Sequence, residues 1–225
     1  SNFWTGSLGT NRKALLIYGP RGCGKSLLAQ FFATNCKAYF LQLDNPDLLE
    51  IQDFVITLFK FMPAFQPLVI YIKKIENFAQ KMPFLTFFLD RVQEAKYSGT
   101  KYFVILSSDY HRRFIPQNIL ASISYRMLQM PFTKNKGDFV KFVCKKLKVN
   151  LVLSNEEYNT LNLNSQGLAW SNVQFYQAIY NIWSQKLRNS NPGDDISLSY
   201  NELLGELNGM PPEWPPEIIR TFLEK

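Results

Sequence analysis

The sequence predicts an α/β protein in which a parallel sheet flanked by helices is followed by a smaller all-helical unit, and three observations carry that expectation. From Lys13 to Phe132 short apolar β-type runs alternate with amphipathic stretches, the pattern of strands joined by crossover helices. A glycine-rich octapeptide, Gly19 to Ser26, lies between the first such run and the first helical stretch. After Phe132 the strand-like runs stop and helical spacing takes over. The expected division is therefore 1–132 as the α/β domain and 133–225 as a helical lid with a C-terminal helix.

Five runs read as strands: Ala14–Tyr18, Tyr39–Leu43, Leu68–Ile72, 102–106 and 127–130. They are rich in β-branched, aromatic and leucine side chains with little polar interruption, as strands buried on both faces should be. Between them Lys25–Asn35, 46–61, 83–96 and 116–122 have helical length and spacing. Three of the four start at Pro, which the first turn tolerates because its N–H groups have no intrahelical acceptor. In the second unit 138–148, 155–161 and 171–187 read as helices, with Ser154 and Glu157 at capping-box spacing. Residues 189–195 form a polar Gly/Pro loop, and a Pro-rich turn separates two last helical candidates, 200–207 and 216–223.

Composition narrows the class. With 46% hydrophobic residues, 225 residues can bury a core. The net charge of +7 favours acidic partners such as nucleic acid, anionic lipid or an acidic protein surface. Cys23, Cys36 and Cys144 form no CxxC pair, and His111 is the single histidine. That argues against a disulfide framework, a zinc site or a Ser-His-Asp arrangement. Every apolar run is interrupted well before the roughly 18 to 20 residues of a membrane span, and the first residues lack a charged-then-apolar leader. The expectation is a soluble intracellular protein, cytoplasmic with cytoskeletal or nuclear placement open. Ser1-Asn2 reads as a junction, so the chain is expected to be cut from something longer.

Gly19-Pro20-Arg21-Gly22-Cys23-Gly24-Lys25-Ser26 satisfies GxxxxGK[ST] and sits between a strand and a helix, which makes it a P-loop in the required context. The glycines let backbone N–H groups turn inward around phosphate oxygens, and the following helix, beginning with Lys25, Ser26 and Leu27, points its positive end at them. Lys25 would reach the β- and γ-phosphates of ATP, or the β-phosphate of ADP, and Ser26 Oγ would ligate Mg²⁺. The bland alternative is a glycine turn that holds nothing.

Hydrolysis needs more than a cradle. A carboxylate at the end of a neighbouring strand must hold the metal shell, and an acidic group must orient the attacking water. The natural strand is Leu68–Ile72, yet it is followed by Lys73-Lys74-Ile75-Glu76. An ammonium group within about 6 Å repels Mg²⁺, although it could neutralise phosphate directly. Glu76 is a few residues too far along, and a misplacement of ångströms can cost about two orders of magnitude in rate. Asp90 and Asp109 remain as acids that another segment could bring to a metal. The competing reading makes Lys73 and Lys74 a solvated loop.

These residues resemble the AAA family of ATPases, in particular the branch of katanin, spastin, fidgetin and the ESCRT disassembly ATPase. Leu15 to Leu28 is similar to that family's first strand, P-loop and helix, and Val69 to Phe78 to its Walker B strand. Val104 to Asp109 resembles the strand carrying its sensor-one polar residue, Gly167 to Ala178 the start of its lid sensor helix, and Ile196 to Glu224 its C-terminal segment. The resemblance implies an AAA+-type P-loop NTPase fold, a bound ATP or ADP with Mg²⁺, and an AAA-type oligomer within a larger protein complex.

The departures bear on activity. The family carries Asp-Glu where this chain has Lys73-Lys74, and Asn or a similar residue where it has Asp109. Positions resembling the arginine fingers read Ala121 and Ser122, leaving Arg126 inside the strand. The missing cation can be worth about three to five orders of magnitude in phosphoryl transfer. Trp170 stands where a second small residue near the adenine is expected, so it stacks on the base, narrows the pocket or fills the lid core. The aromatic-glycine pore loop of translocating members has no counterpart, since no glycine occurs from Lys25 to Ser98.

Other clusters carry less. His111-Arg112-Arg113 could meet phosphate, a neighbouring subunit or nucleic acid, but an exposed charge run usually does nothing specific. Lys141, Lys145, Lys146 and Lys148 share an ordinary amphipathic helix. Three functions remain: a nucleotide-binding AAA module with impaired hydrolysis in a structural or regulatory role; an unconventional ATPase of the remodelling or microtubule-severing kind, using Glu76 or Asp109; and a DNA-binding, replication-type loader favoured by charge alone.

Overall fold

The computed structural model describes residues 14–50, 52–94, 101–123, 126–130, 135–163, 170–191, 194–214 and 220–222. They group into two compact units, one comprising Ser1–Gly19 and Gly24–Met130, the other Pro20–Cys23 and Pro131–Lys225.

In the first unit five strands, β1 (Ala14–Tyr18), β2 (Tyr39–Leu43), β3 (Leu68–Ile72), β4 (Tyr102–Ser108) and β5 (Met127–Gln129), form one sheet in the order β2-β3-β4-β1-β5. Every neighbouring pair is parallel. β3 and β4 are buried along their whole lengths, which is why they read as unbroken apolar runs. The helices are α1 (Lys25–Asn35), α2 (Gln52–Phe61), α3 (Met82–Glu94) and α4 (Gln117–Ser122). The chain passes from β1 out to β2 and then steps back through β3 and β4 to β5. Right-handed crossovers therefore place α1 on one face of the sheet and α2, α3 and α4 on the other. Alternation along the strands directs Ile17, Val69, Tyr71, Phe103 and Ile105 to the α1 face, where they pack with Ala29 and Ala33.

Several boundaries shift by a residue or two, and two differences shape this unit. The stretch 46–61 is not one helix: Pro46–Glu50 is a 3-10 turn. Asn45 Oδ1 accepts the Asp47 N–H at 3.0 Å, closing a tight local turn before α2 begins. β4 runs two residues beyond the apolar stretch, because Ser107 and Ser108 are fully buried in the sheet although polar. Their hydroxyls and carbonyls turn out to organise the site.

The second unit holds α5 (Lys136–Leu147), α6 (Asn155–Leu163), α7 (Asn172–Asn189) and α8 (Tyr200–Asn208). The expectation of an all-helical unit needs correction. Two three-residue strands, β6 (Asn150–Val152) and β7 (Ser197–Ser199), pair in parallel. Each is too short, and too polar at its ends, for an alternation pattern to show. Val140, Phe175, Ile179, Leu203 and Leu207 form the core between the helices. Of the 216–223 candidate only 220–222 is described, and it is helical; the beginning of the 167–178 segment also lies outside the described residues.

Capping sets the helix starts. Ser154 and Glu157 exchange the two expected bonds, at 2.7 and 3.2 Å. Ser171 with Gln174 and Ser199 with Glu202 form complete capping boxes as well. Ser199→Ala should cost about 1 kcal/mol in urea unfolding, the usual value of a lost N-cap. Ser199→Asn, which keeps an oxygen acceptor, should recover most of it.

Candidate functional site

Parallel register brings the carboxyl ends of three strands to one edge. Tyr18 pairs with Ser108 across β1 and β4, and Ile72 pairs with Leu106 across β3 and β4. The residues that follow, Gly19, Lys73-Lys74 and Asp109, therefore emerge together, as ligand-binding loops do in open parallel sheets. Gly19 is tied to that edge by its N–H donating to Ser108 O at 3.2 Å.

Gly24 caps α1 with φ 92°, a left-handed conformation that a side chain would strain. Lys25 follows with 7% of its surface exposed. Its ammonium donates to Gly19 O at 2.7 Å and lies 2.7 Å from Asp109 Oδ1. Asp109 faces a second cation as well, Lys74 Nζ, 3.8 Å from Oδ2. Two amines thus address one carboxylate. Lys74 holds φ 56°, φ-positive like Gly24, and its N–H donates to Ser107 Oγ at 3.1 Å.

Ser26 is not left open. Its Oγ lies 3.0 Å from the Tyr71 hydroxyl, which donates in turn to Ser107 Oγ at 3.0 Å. Tyr71 is completely buried on the α1 face. Glu76 Oε1 accepts the Asp109 N–H at 3.0 Å, while its Oε2 is buried with no hydrogen-bond partner. A cavity of about 570 Å³ opens there, walled by Glu76, Asn77, Ser108, Tyr110 and Phe114.

The second unit contains the crest of the P-loop, Pro20–Cys23. Trp214 Nε1 donates to Arg21 O. Gly22, at φ 69°, leaves no room for a Cβ, which would meet the Ser171 side chain at 2.6 Å. Gln174 Oε1 accepts the Glu213 N–H at 3.1 Å, and its Nε2 donates to Pro211 O at 2.7 Å, so a short segment of the tail is bound to the start of α7. Lys136, fully buried, lies 4.4 Å from the Trp214 ring and donates to Asn172 Oδ1 at 2.8 Å.

A family profile, the ATPase family associated with various cellular activities, matches residues 15–131. This chain belongs to the AAA family. Human peroxisomal ATPase PEX6 is 35% identical to this AAA chain over 78 residues, 32% of the chain and 8% of that protein. The curated relatives it matches are far longer, the shared part being 6 to 8% of the first of them. Two solved structures share the fold at a TM-score of 0.68 and 16% identity: the FIGL-1 AAA domain in complex with ADP and a katanin described in terms of its self-assembly. They cover 94% of this chain, which covers 76% and 77% of them.

Within this AAA fold the structure brings together Gly19, Gly24, Lys25, Ser26, Lys74, Glu76 and Asp109. Lys73 anchors by its N–H to Leu43 O at 2.9 Å. Leu27 lies on the outer side of α1, 71% exposed. Asp90 belongs to α3 and is exposed. Trp170 sits in the core of the second unit, edge-on to Phe175, with its indole N–H lacking a partner. His111 packs its edge against Tyr18, and burial with the Arg113 and Arg112 charges lowers its pKa. Sequence reading missed Tyr71 and Ser107. Alternation carried the signal for the first, since Val69 and Tyr71 must share a face with α1.

Proposed function

We propose that this AAA domain binds ATP or ADP on its P-loop, turns it over slowly or not at all, and serves as a structural or regulatory subunit of a larger assembly. One observation carries the reading: the loop after β3 presents the Lys74 ammonium to Asp109 beside Lys25, where hydrolysis calls for an acid. Gly19 to Ser26 supply the phosphate cradle. Ala121 and Ser122, in place of finger arginines, leave a partner copy with less to offer in trans. Self-association of AAA copies is the mode of assembly proposed, since katanin, a protein of the same fold, is described as self-assembling.

Phosphate release from ATP tests this, with Lys25→Ala as the blank. The expected rate is at least about a hundredfold below 1 s⁻¹, the slow end of ordinary turnover. A magnesium-dependent rate near that value, abolished in Lys25→Ala, would overturn the proposal. One observation favours a second reading, a slow ATPase with Glu76 as the group that orients water: Glu76 Oε2 is buried without a partner. Its other oxygen is already committed to the Asp109 N–H. If residual turnover exists and Glu76→Gln removes it, the second reading is the correct one.

A further inference from the structure

Magnesium is the ion a P-loop serine ordinarily ligates, and the residues present do not fit it. Mg²⁺ asks for near-octahedral oxygen ligands, commonly one or two carboxylates together with phosphate and water. The positions after β3 are Lys73 and Lys74. Two acids lie at this edge: Asp109 turns one oxygen to Lys25 and the other towards Lys74, and Glu76 commits one oxygen to the Asp109 N–H while its other oxygen is buried. Ser26 Oγ is within hydrogen-bond distance of the Tyr71 hydroxyl, itself held by Ser107.

We infer that this site takes nucleotide without a divalent cation, the Lys25 and Lys74 ammonium groups supplying the counter-charge that Mg²⁺ supplies elsewhere. The inference rests on the proposed nucleotide-binding reading and adds the ionic form of the ligand, free ATP or ADP rather than its magnesium complex. Its physical basis is an exchange of anions. Asp109 is the anion both amines face, and phosphate oxygens carry the same charge and the same acceptor chemistry. A divalent ion brought in with the nucleotide would instead meet the Lys74 ammonium. The φ-positive backbone at Lys74, pinned by its N–H to Ser107 Oγ, fixes where that amine starts.

Titration calorimetry of the whole chain with ATP, once in excess EDTA and once in excess magnesium chloride, decides the matter. The dissociation constant in EDTA should be equal to or lower than that in magnesium, within about twofold if equal. Lys74→Asn should lose about tenfold of the affinity in EDTA. Asparagine is the suitable replacement because it tolerates positive φ better than most residues, so the turn after β3 is preserved. Binding seen with magnesium and lost in EDTA would overturn the inference while leaving the nucleotide-binding reading in place. No binding in either buffer would remove that reading, and this inference with it.

Discussion

Replacing Lys25 by alanine is expected to weaken ATP binding at least about a hundredfold, close to 3 kcal/mol. Two effects add. The variant loses a donor whose ammonium reaches both Gly19 O and Asp109 Oδ1 at 2.7 Å. It also takes from Asp109 the nearer of these two cations, Lys74 lying at 3.8 Å, so an incoming phosphate meets a carboxylate less well neutralised than before. A charge-assisted hydrogen bond in a buried site is worth about 1.5 to 3 kcal/mol, and repulsion adds to it. The second effect can be isolated. Lys25→Ala combined with Asp109→Asn should recover about tenfold of the lost affinity, because the donor stays absent while the repulsion is gone. Fluorescence anisotropy of a labelled ATP reads both constants. If Lys25→Ala bound ATP as well as the parent chain, the P-loop would not be where the nucleotide sits.

The double substitution also bears on why Asp109 stands where the family has a neutral polar residue. Lys74 after β3 and Asp109 after β4 face each other at one edge of the sheet. Without Asp109, Lys74 and Lys25 would be two like charges at the strand edge, one of them buried, deprived of the carboxylate that both face. The charges at this edge are thus electrostatically self-consistent.

That pairing shows where sequence reading reached its limit. The five strands and the P-loop were legible because both are local: an unbroken apolar run reports a strand buried on two faces, and GxxxxGK[ST] between a strand and a helix reports a backbone shape. The identity of each charged residue at the edge was legible too. Which cation faces Asp109 was not, since that depends on the register of β1, β3 and β4, set by pairings between distant segments. The same holds for Ser107 and Ser108, whose polarity ends the apolar run although the strand continues to position them. β6 and β7 escaped because three residues give periodicity too little length. Lys136 escaped for a different reason. Two residues before the expected helix start at 138, a lysine reads as solvated, and only the folded chain shows it in the first turn, enclosed by Trp214, Phe175 and Asn172.

Lys136 yields the second large effect. Burial lowers its pKa from about 10.5 to about 7, and its place in the first turn of α5, at the positive end of a helix, acts in the same direction. The Trp214 face and Asn172 Oδ1 act against it by favouring the ammonium. The sign of the linkage follows from proton counting. Below pH 7 the amine is charged in both folded and unfolded chains, so stability carries the full cost of burying a charge and has no slope from this group. Between pH 7 and about 10 the unfolded chain binds the proton and the folded chain does not, so stability rises with pH by about 1.4 kcal/mol per unit. Lys136→Met keeps the length and apolar stem of the side chain and removes the charge. At pH 7 it should stabilise the chain by about 1 to 3 kcal/mol, as replacing a buried ion by a well-packed apolar group often does, less about 1 kcal/mol for the Asn172 oxygen left without its donor. The clearer signature is the slope. Urea unfolding at pH 7, 8 and 9, followed by the fluorescence of Trp170, Trp183 and Trp214 in the same unit, should show the parent chain gaining on the variant by about 1 kcal/mol in the first step, where the folded amine is still half protonated, and by about 1.3 kcal/mol in the second. Cys144, whose thiol burial pushes up to about 11, is common to both proteins and cancels in the difference. If the variant were less stable at pH 7 and the two curves ran parallel to pH 9, the amine would be charged throughout, and the aromatic face of Trp214 would outweigh the burial.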